Sequence, residues 1–346
     1  MRADTVTKDY ISDTTVFSDV FNYYIYGGQQ VIKPEQLTEQ DPGEIALPYG
    51  ADGAVVPVQK FRDAQKLCTV MTDGEVEFVL CGVENQAEVH YAMPVKNNLY
   101  DAIEYAGQVE EAAKSHRKSR KRDKESDESA DVKKKLSAGE FLSGFWKEDR
   151  LIPSVTVTLY FGSEEWTGPM SLSDMMDIKD SRILSCMEDY HVKLIAPAHM
   201  EDEEIMKFQS SLREVLLFIK YSKDKERLDE ILKQNEERFR EVERRAVDVI
   251  EVMTHTELRY EEREGSVDMC QAIREMREEE RIKGEKIGEA RGEKIGEARG
   301  EARGEERQNE LTKCLLHDNR LDDLKRAVED RSYREQLFIE YGIKRI

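Results

Sequence analysis

The strongest constraint on how this chain folds is a pair of apolar runs, "VVPVQKFRDAQKLCTVM" (55–71) and "VEFVLCGVEN" (76–85), joined by "TDGE". An Asp-Gly pair between two β-prone runs signals a hairpin. The second run, Phe78 to Val83, ends in Glu84-Asn85-Gln86 and not in a turn residue. On an extended strand residues two apart share a face, so Glu84 and Gln86 project together, ~6–7 Å apart. An ionised carboxylate at the end of a buried strand is costly unless something compensates it. A divalent cation held by oxygen ligands is one such compensation. Asp63, in "KFRDAQ", precedes Glu84 by 21 positions across the hairpin and could reach the same end of the sheet.

Elements on either side extend the pattern. "TTVFSDVFNYYIYG" (14–27) carries Val16, Phe17, Val20, Phe21 and Tyr24 at helical spacing and stops at Gly27-Gly28. Residues 29–54 read as loop, with "EIALP" as a short strand. Residues 95–113 read as a helix with Leu99, Ile103, Ala106 and Val109 on one side. Ser154 to Phe161 alternates like a strand, and "HVKLIAP" (191–197) is another. "ERLDEILKQNEERFREVERRAVDVIEVM" (226–253) reads as an amphipathic helix that needs a partner surface.

Composition limits the classes open to the chain. With 346 residues, 36% of them charged, a single well-packed core is expected, with much of the rest as exposed helix or linker. A net charge of −20 argues against a general nucleic-acid coat, though not against a local basic cleft. The 5 cysteines (68, 81, 186, 270, 314) form no C-x-x-C pair and read as reduced thiols of a cytosolic protein. The first residues lack a hydrophobic signal region, and no apolar run approaches the ~20 residues of a membrane span. A cytoplasmic location without membrane partners is therefore expected. The 6 histidines have no metal-ligand spacing, and neither a phosphate loop nor a nucleophile elbow is present. Trp146 and Trp166 read as structural.

Taken one at a time, Asp63 reads as an exposed strand-end aspartate, Lys96 as a surface lysine and Tyr100 as a core residue. Taken in order they form an acidic residue, then Glu-x-Gln, then the helix that carries Lys96 and Tyr100. That order resembles the PD-(D/E)XK nuclease pattern with glutamine in the lysine position. "VENQ…MPVKNNLY" further resembles the Rpn family of recombination-promoting nucleases, also described as putative transposases. "FSDVFNYYIYGG" is similar to that family's opening helix, and "RLIPSVTVTLYFGSEEWTGPMSL" (150–172) to its next strand and Gly-Trp turn. The resemblance spans roughly residues 14 to 220.

The resemblance implies an α/β, restriction-endonuclease-like PD-(D/E)XK core with a long helical C-terminal extension, acting as a metal-dependent DNA endonuclease in breakage and recombination. It implies that Asp63 and Glu84 hold Mg²⁺ and that Gln86 orients or polarises the attacking water. Lys96 would replace the missing lysine and steady phosphate charge, Tyr100 would contact the substrate backbone or support the site, and Asp19 would act from behind it. Leu99 stands where relatives carry arginine, and Ala87 where they carry serine. A catalytically weak or inactive relative, binding DNA or a protein partner, is the alternative.

The expected organisation is a core over 1–200, a helical region over 201–280, a repeat over 281–307 and a small helical tail over 308–346. Residues 114–135, "KSHRKSRKRDKESDESADVKKK", read as a disordered charged insert. Its basic run, Lys114 to Lys124, could touch phosphates, but the acidic continuation favours a self-neutralising solvated segment. In "KGEKIGEARGEKIGEARGEARGEE" glycine recurs every fourth residue from Gly284 to Gly304. A solvated linker and a self-association helix that joins copies into a homo-oligomer both fit it.

Overall fold

A computed structural model describes residues 2–40, 43–46, 58–72, 75–125, 136–178, 180–261 and 265–344. Two helices open the chain, α1 (Arg2–Ser12) and α2 (Thr14–Tyr26). Asp13 separates them by accepting the Thr15 and Val16 amides as the α2 N-cap, and Gly27 ends α2 in a left-handed conformation at φ 62°. The sequence expectation covered α2; α1 was not expected. It carries Tyr10 and Ile11, both buried.

The centre is a five-stranded mixed sheet in the order β1 (Leu37–Glu39), β2 (Ala64–Thr72), β3 (Glu75–Gln86), β4 (Ser154–Tyr160), β5 (Lys193–Ile195). β2 and β3 form the expected antiparallel hairpin, in register from Thr72↔Glu75 to Ala64↔Val83. The Asp73-Gly74 turn itself lies outside the described residues. β3 then pairs in parallel with β4, from Leu80↔Ser154 to Gln86↔Tyr160. A parallel partner requires a crossover, and α3 (Met93–Glu125) provides it. β3 is therefore where the sheet changes from antiparallel to parallel pairing. β4 alternates in sequence yet is buried continuously from Thr156 to Tyr160, as a strand with neighbours on both edges should be. A two-stranded ribbon, Gly43–Ala46 with Val58–Phe61, lies outside this sheet, and its first strand takes in Glu44 to Ala46 of the expected "EIALP", the rest of which lies outside the described residues.

The following helices are α4 (Leu212–Tyr221), α5 (Lys225–Gln234) and α6 (Arg244–Thr254). The single helix expected over 226–253 is broken. Asn235 ends α5 by donating its side-chain amide to Ile231 O, and it accepts Arg213 Nη2 at 2.8 Å. Val242–Glu243 then forms a two-residue ladder with Ser266–Val267. The apolar periodicity persists across the break, since Ile231, Phe239, Val242 and Ala246 are all buried.

The chain divides into two compact units, Met1–Ile273 and Arg274–Ile346. α1 packs against α6, and the helical region expected over 201–280 belongs to the first unit as far as Ile273, so that part does not stand apart from the sheet. The expected insert is also corrected: α3 runs on through Lys114 to Glu125, and only 126–135 of that segment lies outside the described residues. Its basic residues extend a helix already anchored at its start by buried Met93, Tyr100 and Ile103.

The second unit contains most of α7 (Met269–His317, 49 residues), with α8 (Leu321–Glu329) and α9 (Arg331–Glu340) packed on its end around Leu311, Leu315, Ala327, Leu337 and Phe338. The glycine repeat is helical and exposed throughout. Four residues turn a helix by about 400°, so a four-residue stripe advances about 40° per repeat and circles the axis. No described helix is long and apolar enough to cross a membrane.

Candidate functional site

β3 changes character along its length: Glu75 to Phe78 are exposed, whereas Leu80 to Asn85 are buried between β2 and β4. Glu84 thus sits at the covered end, only 1% exposed. Because α3 returns from this end, its first turn brings Lys96 back to the strand. Lys96 Nζ lies 2.6 Å from Glu84 Oε2. Glu84 Oε1 is buried and has no hydrogen-bond partner among the described residues. Burial raises the Glu84 carboxyl to about 7, with Lys96 opposing the rise and the Asp63 charge adding to it.

Asp63 occupies a bend one residue before β2. Continuing the hairpin register by one residue sets it opposite Glu84. Its Oδ2 accepts the Asn85 amide at 2.9 Å, one peptide beyond Glu84. Partial burial raises its pKa as well, while the Asn85 N–H and Lys96 hold it down. The two carboxylates and Lys96 therefore form one electrostatic group, as the sequence pattern implies.

The other expected residues divide. Gln86 shares the strand end, but its Nε2 donates to Asn85 O at 2.7 Å, so its amide is turned back onto its own strand. Tyr100 is buried, with Arg62 5.6 Å from its ring centroid on one contact and Lys96 5.9 Å on another, a position that supports the site. Leu99 is exposed. Asp19 does not join the group. Its Oδ2 takes Gln209 N at 2.8 Å, Ser210 N at 2.7 Å and Ser210 Oγ at 2.7 Å, and its Oδ1 takes Gln30 Nε2 at 3.3 Å. With those donors Asp19 ties α2 to the turn before α4. It is an anchor of the fold.

Several residues beneath the site were not found by sequence reasoning. Asp101 accepts Arg62 Nη2 at 3.0 Å, Ser154 Oγ at 3.0 Å, Thr156 Oγ1 at 2.8 Å and the Tyr190 hydroxyl at 2.7 Å. Asn97 donates to Thr158 Oγ1 at 2.9 Å, and Thr158 is the register partner of Glu84 on β4. Asn97 and Asp101 are four apart and so share one face of α3, the one signal available in advance. Arg62 reaches Asp101 across Gly82, where a Cβ would meet Arg62 Cδ at 2.9 Å.

Chemically, the strand end offers two carboxylates, one with an unsatisfied buried oxygen. That donor set suits a hard divalent cation. Among the described residues, no group of three or more His, Cys, Asp and Glu side chains is placed to hold a metal.

Fold and site together define an α/β protein whose mixed sheet ends, on its central strand, in a buried carboxylate ion-paired to the crossover helix. Residues 143–249 match the family described as "Putative transposase, YhgA-like", also known as the Rpn family, and the chain is similar to that family over this segment. The matched segment takes in β4, β5, α4 and α5 and most of α6; Asp63, Glu84, Gln86, Lys96 and Tyr100 lie before it. Comparison with curated proteins and with solved structures gave no match.

Proposed function

We propose that this protein is a Mg²⁺-dependent DNA endonuclease with a restriction-endonuclease-like PD-(D/E)XK core, serving DNA breakage and recombination. The observation that carries the reading is Glu84: a carboxylate buried at a strand end beside Asp63, one oxygen on Lys96, the other without a hydrogen-bond partner among the described residues. The family match supports a nuclease or transposition role in general terms. A cytoplasmic location accords with it.

Asp63 and Glu84 are the residues that would hold Mg²⁺. Bound there, the ion supplies positive charge to the phosphate and acidifies a water near neutral pH. Lys96 favours the ionised form of Glu84 against the cost of burial and adds a second positive charge at the strand end. Gln86 brings no charge, so it can only orient a water through its amide once that amide leaves Asn85 O. The Tyr100 ring lies 5.9 Å from Lys96 Nζ and limits where the ammonium can go. Asn85 N–H fixes one oxygen of Asp63, which leaves the other to face the site.

The test is cleavage of supercoiled plasmid with Mg²⁺ by wild type, Asp63→Ala and Glu84→Ala. Nicking by wild type, reduced about a hundredfold or more in both variants, is the expected outcome. A second reading is a non-catalytic binding module. It is favoured by the Glu84–Lys96 pair, which neutralises the carboxylate internally, and by the folded-back Gln86. Calorimetric Mg²⁺ titration separates the two: the nuclease shows a site that Glu84→Ala removes, and the binding module shows none.

A further inference from the structure

α3 begins at the candidate site and ends elsewhere. It is one helix of 33 residues, with Lys96 in its first turn and Lys114, Arg117, Lys118 and Arg120 exposed on its distal half. In sequence the run continues through Lys121, Arg122 and Lys124, with Asp123 as its one acid. Loop 144–150 lies against the same half and adds exposed Lys147 and Arg150. Three contacts hold it there. The His116 ring stacks on Trp146 at 3.6 Å and 7°, and His116 Nε2 lies 2.8 Å from Asp149 Oδ2. Gly144 packs so closely that a Cβ would meet Ala113 Cβ at 2.7 Å.

Lys114 pairs with Glu110, but most of the other cations of this surface are not ion-paired to the acids beside them among the described residues. Asp149 is engaged by His116 and by the Trp146 amide, and Glu110 by Lys114. Glu140 is engaged by the Ser137 and Lys147 amides. Glu111 and Glu148 also lie here. Among the described residues Arg117, Lys118, Arg120, Lys147 and Arg150 make no ion pair. Arg117 and Arg150 donate to backbone carbonyls, and Arg120 lies 5.4 Å over the Phe141 ring. In a chain of net charge −20 such a surface attracts a polyanion by local potential alone.

We propose that the distal half of α3, with the loop strapped to it, is a docking arm for the phosphate backbone of double-stranded DNA. The polarity of the arrangement rests on the nuclease reading, which puts the scissile phosphate at Glu84. From Lys96 to Lys118 a helix rises about 33 Å. That is the length of about ten base pairs at 3.4 Å each. A rigid helix and a duplex, whose persistence length is far longer than this, keep charge opposite phosphate over such a span. A flexible polyanion needs no such fixed spacing.

The test is DNA binding by the full chain carrying Asp63→Ala, with Ca²⁺ replacing Mg²⁺ so that affinity is read without cleavage. Fluorescent duplexes of 8 and 30 base pairs are compared across a salt series. Reversal of Arg117, Lys118 and Arg120 to Glu should weaken binding to the 30-base-pair duplex at least about tenfold and lower the salt slope by about 3. The same residues changed to Gln should act in the same direction with less effect. The 8-base-pair duplex, too short to span both ends, should lose most of the dependence on the arm. Unchanged affinity and slope in both variants, with unchanged circular dichroism, would overturn the proposal. So would equal arm-dependent binding to both duplexes, or competition by polyglutamate as effective as by DNA, which would point to an acidic protein partner. Arm-dependent binding in a protein whose wild type does not cut plasmid would keep the arm and remove the nuclease.

Discussion

The molecule contains two long charged helices that are held in opposite ways. α3, 33 residues, is fixed along its first half by buried side chains: Met93, Asn97, Tyr100, Asp101 and Ile103 all face the sheet unit. α7, 49 residues, buries side chains near its two ends, and the repeat between them is exposed. The comparison teaches that helix length and charge do not reveal what a helix does. A buried anchor turns the charged end of α3 into a positioned surface. In α7 the repeat depends on its own backbone bonds and on ion pairs such as Arg281 with Glu278 and Glu285.

The largest expected effect comes from removing that difference. No Cβ added at Gly284, Gly288, Gly292, Gly296, Gly300 or Gly304 would meet anything within 4 Å. Changing all of them to Ala should stabilise the repeat by about 1 kcal/mol each, so up to roughly 6 in total. Slower amide exchange and slower trypsin cleavage at Arg291, Arg299 and Arg303 would show it, with the melting of the sheet unit unmoved. If the repeat also joins two copies, deleting 281–307 lowers the mass in light scattering; an unchanged mass retires self-association.

Breaking the α3 anchor should cost nearly as much. Asp101→Ala removes the carboxylate that accepts from the buried Arg62 guanidinium and should lower the stability of the first unit by about 3–5 kcal/mol in urea unfolding. Asp101→Asn should cost less, because it keeps the shape and an acceptor oxygen.

A third effect depends on pH. Burial raises the Glu84 carboxyl from the usual 4.5 of a glutamate to about 7. Between those values the folded chain holds a proton that the unfolded chain has released. Stability from this group is therefore full below about 4.5 and lost as pH rises through about 7, on the order of 3 kcal/mol in all. Glu84→Gln should accordingly raise the melting temperature at pH 8 and hardly change it at pH 4. In wild type, Mg²⁺ affinity should weaken as pH falls through 7, where protons compete for the ligand.

The smallest effect tests the strap at the far end of α3. Trp146→Ala removes the ring stacked on His116 and should cost about 1 kcal/mol. It should reduce arm-dependent DNA binding more than it reduces the melting temperature.

How much of this was legible in the sequence depends on the range of the signal. The hairpin, β3 and the grouping of Asp63, Glu84 and Lys96 followed from local pattern, because strand register fixes which residues meet. The role of Asp101 did not. It is set by Arg62, Ser154, Thr156 and Tyr190, which come from four separate segments and converge only through the sheet. Asp19 was misread for the same reason, since its partners at 209–210 lie far along the chain. Residues 114–125 were misread because composition reports what a segment can bury and not what anchors the helix it continues. Asn235 broke a periodic run that otherwise kept its apolar face.

Arg62 and Gly82 occupy one shared volume. While the arginine lies across the glycine, any side chain at position 82 collides with it. Once the arginine is lost, alanine at 82 fills a gap. The order of substitution therefore decides which sequences this lineage can reach. Gly82→Ala first forces the Arg62 side chain to shift, and a small residue at 62 first opens the space but takes the Arg62 charge from Asp101. The two positions should vary together or not at all, and a double-substitution cycle should show them as strongly non-additive.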